Sequence, residues 1–488
     1  MKRLIIPCLV ASAATSCSQN PNSGGLKSGD KAHPNVILFV ADDHGIDALG
    51  CYGNDVIKTP SLDSLAATGV RFDNAFCTSS TSAVSRTVLM TGLFGHSTAT
   101  YGHSHDYHHF STYEGTPSLP MLLAEGGYKT ARIGKYHLAP ESVFHFDNTF
   151  EADPRSTAEM ADACRDFILD KDNNDKPFFL YFCTDDPHRD SPFAHEKWDE
   201  PNDFGNRPEG FENIETIEYD PNDVYVPSFL PDTYITRREI AQYYQSISRI
   251  DQGFDRLMQH LRESGKADNT IVIYISDNGM AFPGAKTTLY EAGMRLPCII
   301  SGAGIEGKNV LNKEMISWVD MTPTILEMTG TAYDKNQFHG KSFKGLVDGS
   351  GAKGADVVYA SHVCHEVTMY YPMRVVRQKQ YKLIWNIAYK LDYPFASDLW
   401  AASTWQQIER GQVDKLGDKP VNEYLYRPEF ELYDIVADPF EAKNLSLDPK
   451  YASIVESMKK DMKQWQIDTK DPWLIMWNHD NSLQGTGV

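Results

Sequence analysis

The chain has 488 residues, 41% of them hydrophobic and 23% charged, which suits one large globular domain plus a smaller one, or two medium domains, and does not favour disorder. Its formal net charge of −20 argues against nucleic acid as a partner, because no global basic field exists to attract phosphates. A small anion stays admissible, since a local pocket of cations and a bound metal can outweigh a diffuse negative surface.

Lys2 and Arg3 precede an apolar stretch, residues 4–14, that is too short to span a bilayer. Small residues follow in A-A-T-S-C, ending at Cys17. The pattern resembles a bacterial lipoprotein signal over residues 1–17, with Cys17 as the lipidated N-terminus and residues 18–32 as a polar tether. It implies a lipid anchor to the membrane, in the bacterial periplasm or on the outer surface; a plain secretory signal with an incidental cysteine is the alternative. No other stretch is long and apolar enough for a transmembrane helix. Cys51, Cys77, Cys164, Cys183, Cys298 and Cys364 follow with no C-x-x-C pair and no zinc spacing, which leaves both disulfides and free thiols open.

Short apolar runs at residues 36–40, 178–182 and 271–275 read as strands buried on both faces. Residues 128–133 form a further candidate strand. Between them, residues 237–264 carry Ile240, Tyr243, Ile247, Ile250, Phe254, Met258 and Leu261 at helical spacing, with Thr236 and Glu239 as a capping box and Gly265 as the stop. Strands alternating with helices predict an α/β domain with a mostly parallel sheet over residues 33–355. Residues 381–387 and 430–433 then read as shorter strands. A last helix follows Asp448 and Pro449, with Ile454, Met458, Met462 and Trp465 on one face, and residues 356–488 are expected to form a smaller α+β domain.

Polar residues gather where the strands stop. The first run enters Asp42-Asp43 and the one at 271–275 enters Ser276-Asp277-Asn278-Gly279. In open α/β sheets ligands bind beyond the carboxyl ends of strands. Oxygen ligands at two such ends suit calcium or magnesium better than zinc. Either motif alone is also an ordinary turn. Gly134-Lys135-Tyr136-His137 and Asp185-Asp186-Pro187-His188-Arg189 follow two more strands and offer groups that bind anions and move protons. Residues 82–92, S-A-V-S-R-T-V-L-M-T-G, enter a helix at about Ser85 that ends at Gly92, and a helix N-terminus favours an anion.

This last segment resembles the signature of the sulfatase family: Cys or Ser, any residue, Pro, Ser, Arg, then a helix closing on Thr-Gly. A-D-D-H-G, G-K-Y-H and S-D-N-G accompany it in the family order. Val84 stands where the family has proline. The segments at 101–110, 219–227, 365–374 (H-E-V-T-M-Y-Y-P-M-R) and 431–434 are similar to the N-sulfoglucosamine sulfohydrolase (sulfamidase) branch, although Lys286 stands where that branch has arginine. The resemblance implies an alkaline-phosphatase-like α/β sandwich with a smaller C-terminal α+β part. It implies a sulfated oligosaccharide substrate, with removal of the N-sulfate of glucosamine at the non-reducing end of heparan or heparin fragments.

By the same resemblance Ser82 is oxidised to formylglycine by a formylglycine-generating maturase. The hydrated aldehyde attacks sulfur with one oxygen and expels sulfate with the other, so one difficult step becomes two. Calcium is held by Asp42, Asp43, Asp277 and Asn278. Arg86 and Lys135 steady the charge, His137 takes a proton, and His188 and Lys286 face the leaving side, with His188 as candidate acid. His108, His109, His365, Glu366 and Arg374 lie in the branch-specific segments and either bind the sugar or pack the two domains together. An O-sulfatase, a phosphatase or phosphodiesterase of the same fold, and a silent sulfated-glycan-binding lipoprotein stay open as alternatives.

Overall fold

In the strand NVILFVA every residue is buried, with Val36, Leu38 and Val40 facing one core and Ile37, Phe39 and Ala41 facing the other. Such a strand needs cover on both sides, and it lies inside a mostly parallel sheet. The computed structural model describes residues 33–105, 107–170, 176–190 and 200–478. The signal, Cys17 and the polar tether lie outside the described residues.

The strands are β1 (Asn35–Ala41), β2 (Val70–Phe76), β3 (Lys129–Gly134), β4 (Asn148–Phe150), β5 (Phe178–Cys183), β6 (Thr270–Ser276), β7 (Cys298–Gly302) and β8 (Val310–Ser317). They form one sheet in the order β4-β3-β5-β1-β6-β7-β2-β8. β4, β3, β5, β1 and β6 run parallel, so the segments after β3, β5, β1 and β6 emerge at one edge. β7 is antiparallel to both β6 and β2. Helices Pro60–Ala67, Thr157–Ala163 and Tyr234–Glu263 cover one face, while Ser82–Thr91, Leu119–Glu125 and Met321–Thr329 cover the other.

The change of texture after residue 356 is a second sheet, antiparallel throughout: β9 (Val357–Cys364), β10 (Tyr370–Gln378), β11 (Tyr381–Asn386) and β14 (Phe430–Asp434), in the order β14-β11-β10-β9. A short hairpin, β12 (Lys415–Leu416) with β13 (Lys419–Pro420), interrupts it. Val358, Ala360, Met373, Val375 and Ile384 from this sheet share one core with Val36, Leu38 and Val40. Ser361 N–H donates to Thr78 O at 2.8 Å, which docks β9 beside the loop before the Ser82 helix. Helix Ala452–Asp468 buries Met458, Met462 and Trp465 as its spacing predicts. Cys51, Cys77, Cys164, Cys183, Cys298 and Cys364 are all free thiols.

The long helix begins one turn earlier than its spacing predicts. Its N-cap is Thr233, whose side chain accepts from Thr236 N, and it runs to Glu263, with Gly265 at φ +71° after it. Glu239 therefore has no capping role in this helix. Its buried carboxylate accepts from Arg189 (2.6 and 3.2 Å) and from the backbone N–H of Ser403 (3.2 Å) and Thr404 (2.9 Å). A pattern-level cap and a buried ion pair look alike in sequence, because both place a glutamate near a helix start. Glu239→Ala is expected to lower stability by about 3–5 kcal/mol in urea unfolding, because Arg189 would remain buried and unpaired; a change under about 1 kcal/mol would contradict this.

Candidate active site

Four parallel strands deliver their C-terminal loops to one place. Asp42 and Asp43 leave β1, and Asp277 and Asn278 leave β6, next to it in the sheet. The register Ala41↔Ser276 puts the two acidic ends side by side, and Asp43 N–H donates to Asp277 Oδ1 at 3.2 Å. Gly279 is needed here because a Cβ would come 2.0 Å from Ala292 O. Asp43 and His137 are held at φ +65° and +53°, a conformation that costs energy for side chains other than glycine and that gathers at functional sites.

The helix of the serine starts at Ser82 itself, not Ser85, so Ser82 occupies its first turn and points at the acidic cluster. Ser82 Oγ donates to Asp42 Oδ1 at 3.0 Å and accepts from Asn278 Nδ2 at 3.2 Å. Arg86, one turn on, donates to Asp277 Oδ2 at 2.8 Å and to Lys135 O at 3.0 Å. Lys135 Nζ bonds Asp42 Oδ2. On the other side Lys286 Nζ reaches Asp43 Oδ2 (2.9 Å), His188 Nε2 (2.8 Å) and Asp398 Oδ2 (2.8 Å). The nine residues Ser82, Arg86, Lys135, His188, Lys286, Asp42, Asp43, Asp277 and Asn278 thus belong to one hydrogen-bonded constellation, and His137 follows Lys135 on the β3 loop.

Burial opposes charge on Asp42, yet Lys135, His188 and Arg86 outweigh it and hold this carboxyl well below the usual range. Burial pushes Asp43 up to about 7, with Asp42 and Asp277 adding to it and Lys286 opposing. Asp277 rises to about 6, through burial and Asp42 against Arg86. Carboxylates so pushed together call for a further cation. Asp43 Oδ1 and Asn278 Oδ1 are buried acceptors with no protein partner. These orphan oxygens, with Asp42 and Asp277, form an all-oxygen donor set that fits a hard divalent ion.

His188 is held at about 3 by burial, Lys286 and Lys135, so its ring is neutral. Its Nδ1 faces Arg189 O at 2.7 Å, which can only accept. The proton therefore sits on Nδ1 and Nε2 accepts from Lys286. Asp398 has no motif to flag it, lying 112 residues from Lys286 in the segment between β11 and β14. Asp186, in the motif that carries His188, is buried and paired with Arg155 (2.9 Å) and Arg249 (2.7 Å), which fixes that loop.

The candidate sugar-binding residues divide. Arg374 is fully buried and bound to Asp471 through Nε (2.6 Å) and Nη2 (2.8 Å), so it packs the C-terminal segments together and does not bind a ligand. A buried arginine on β10 needs a carboxylate partner, and Asp471 is too far along the chain to be seen as one. His108 uses both ring nitrogens on backbone, His105 O (3.0 Å) and Val367 N–H (2.8 Å), and clamps two loops together. Glu366 accepts from Ser397 N–H at 2.5 Å and from Thr368. His109 is exposed. His365 is the member in the pocket: it meets Thr81 Oγ1 at 2.9 Å, next to Ser82, and its ring lies 4.2 Å from that of His103. His103, which the sequence reading did not single out, sits 4.9 Å from His137.

A sheet edge with clustered carboxylates, buried cations and a helix-borne hydroxyl defines a hydrolase of a tetrahedral oxyanion. The Sulfatase family profile matches residues 34–331, and the profile "N-sulphoglucosamine sulphohydrolase, C-terminal" matches residues 284–396. The chain is 35% identical over 466 residues to N-sulphoglucosamine sulphohydrolase of Homo sapiens, covering 91% of this chain and 92% of that one. It is 26% identical to an N-acetylglucosamine-6-O-sulfatase of Bacteroides thetaiotaomicron, covering 96% and 91%. Among solved structures, a sulfatase from Bacteroides thetaiotaomicron superposes with a TM-score of 0.66 at 21% identity, over 90% of this chain and 94% of that one. A second solved structure, in complex with its substrate D-glucosamine-2-N,6-O-disulfate, superposes with a TM-score of 0.61 at 22% identity, over 90% of this chain and 99% of that one. The chain belongs to the sulfatase family and is a sulfatase enzyme.

The buried histidines set the acid limit of the protein. Burial holds His44 at about 4 and His96, His103, His188 and His362 at about 3, and pushes His137 and His365 well below the usual range. Unfolded, they titrate near ~6.5, so the unfolded state takes up protons that the folded state refuses. Asp43 and Asp251, raised to about 7, Asp277 and Asp320, raised to about 6, and Asp47, Asp185, Asp203 and Glu441, also raised, work the other way and offset part of this. Stability is therefore full above the unfolded histidine value and lost as pH falls through it. Urea unfolding should give a smaller free energy at pH 5 than at pH 7; a flat or opposite profile would refute this balance.

Proposed function

We propose that this sulfatase removes the N-linked sulfate of glucosamine at the non-reducing end of heparan or heparin fragments. What carries the reading is the likeness to the human N-sulphoglucosamine sulphohydrolase along nearly the full length of both chains, together with the match of its C-terminal profile. The neighbouring Lys286, His188 and Asp398 suit the harder leaving group. A sulfamate nitrogen must be protonated as its bond to sulfur breaks. Lys286 holds a proton 2.8 Å from His188 Nε2, so the pair offers an acid with an exchangeable proton on the leaving side.

Oxidised by a maturase and hydrated, Ser82 supplies a diol whose one oxygen takes the sulfuryl group and whose other expels it as sulfate. Asp42, Asp43, Asp277 and Asn278 would hold calcium, which would supply Lewis acidity to the reacting groups. Arg86 and Lys135 balance the carboxylates and face the developing charge. His137, neutral and with both ring nitrogens unpartnered among the described residues, takes the proton of the second oxygen. Lipidation at Cys17 anchors the enzyme to a membrane, in the periplasm or at the outer surface.

Protein made with its maturase should have lost the mass of two hydrogens at Ser82 and should release sulfate from glucosamine N-sulfate. Protein made without it, and Ser82→Ala, should not turn over. Peptide mass spectrometry with a sulfate-release assay on N-sulfated and 6-O-sulfated glucosamine checks this. Release from the O-sulfate alone would replace the N-sulfatase reading with an O-sulfatase, and full activity of an unmodified Ser82 would overturn the nucleophile. Lys135→Ala should lower kcat by about 10²–10³-fold with the unfolding midpoint little changed, as for a group that stabilises developing charge; unchanged kcat would remove Lys135 from the reaction.

A further inference from the structure

Beside the all-oxygen cluster lies a second group of ligand atoms with a different chemistry. A ring nitrogen from each of His103, His105 and His137 lies within 4.8 Å of the others, and no carboxylate belongs to the set. The rings pack on one another, with centroids 4.7 Å (His103–His105), 4.8 Å (His105–His137) and 4.9 Å (His103–His137) apart. His365 closes the inner side, 4.2 Å from His103. His103 is only 8% exposed, yet its Nδ1 has no partner, and neither ring nitrogen of His137 has one. Unpartnered buried imidazole nitrogens cost free energy unless something binds them.

Three imidazoles with no oxygen donor select late first-row cations over calcium or magnesium. We propose that His103, His105 and His137 hold a zinc-class divalent cation at the mouth of the site, and that a cation held there stops sulfate release. Tetrahedral zinc with Zn–N near ~2.1 Å needs nitrogens about 3.4 Å apart, so the exposed His105 swings inward to complete the site. Water or the substrate takes the fourth position. Lys135 lies close, but its charge is matched by Asp42. The inhibitory half rests on the role of His137 given above, because a lone pair bound to metal cannot take a proton; the binding half does not depend on it.

The test is isothermal titration of zinc chloride into the full chain in excess calcium, for wild type, His105→Ala and His103→Gln, with sulfate release measured alongside. Wild type should bind one zinc, and both variants should bind it at least tenfold more weakly. His105→Ala should keep its activity without zinc and resist zinc concentrations that silence wild type, and a chelator should restore wild type. Such binding supports the site even if the N-sulfate substrate proves wrong, since it is read without turnover. No zinc binding at micromolar concentration, or equal binding by both variants, overturns the site. Binding that leaves sulfate release untouched overturns the inhibition.

Discussion

The parallel pairing of β1 with β6 is the constraint on which the rest depends. It ends in register, so Asp42 and Asp43 must meet Asp277 and Asn278. Three acidic side chains with almost no water around them repel one another and resist ionisation. Every nearby cation can be understood as an answer to that: Arg86 from the helix, Lys135 from the β3 loop and Lys286 beyond β6. Arg86 and Lys286 are fully buried, and removing either would leave a buried carboxylate uncompensated, whereas Lys135 is partly exposed and Asp42 keeps Arg86 as a second partner. The same crowding leaves Asp43 Oδ1 and Asn278 Oδ1 available to a metal.

The second sheet completes this arrangement. It holds the loop before Ser82 through Ser361, touches Thr81 through His365, and sends Asp398 to Lys286. Tyr290 donates to Glu431 at 2.9 Å, and Glu291 pairs with Arg377 and Lys382, so buried polar groups fix the two sheets in one orientation. Apolar packing alone would tolerate sliding; polar groups that must each find their partner do not.

Much of this was legible in the chain. Runs such as FFLYFC and TIVIYIS are too apolar for anything but strands buried on both faces, and the acidic and cationic residues that follow them needed only the rule that ligands gather at strand ends. Legibility failed where a partner is distant. Nothing local distinguishes Arg374 as a buried pair with Asp471 from a sugar ligand, or Glu239 as the partner of Arg189 from a helix cap. Asp398 carries no motif because its importance comes from which charge it faces. His103 was overlooked for the same reason: seven of the ten residues from 101 to 110 carry rings, four of them imidazoles, and only the folded loop shows which one turns inward.

The origin of Asp398 bears on how such an enzyme can change its diet. The serine, the acidic cluster and Arg86 and Lys135 all come from the first sheet and its loops, and on the proposed reading they act on the sulfate itself. On the proposed reading, the groups facing the departing fragment are finished by Asp398, from the segment between β11 and β14, which is tied to the scaffold through Lys286, Glu366 and Glu239. On that reading, substitutions around Asp398 would alter what is let go more than what is attacked. A lineage could then inherit the costly half of the machinery unchanged and rewrite the other half within the roughly forty residues that lie between β11 and β14.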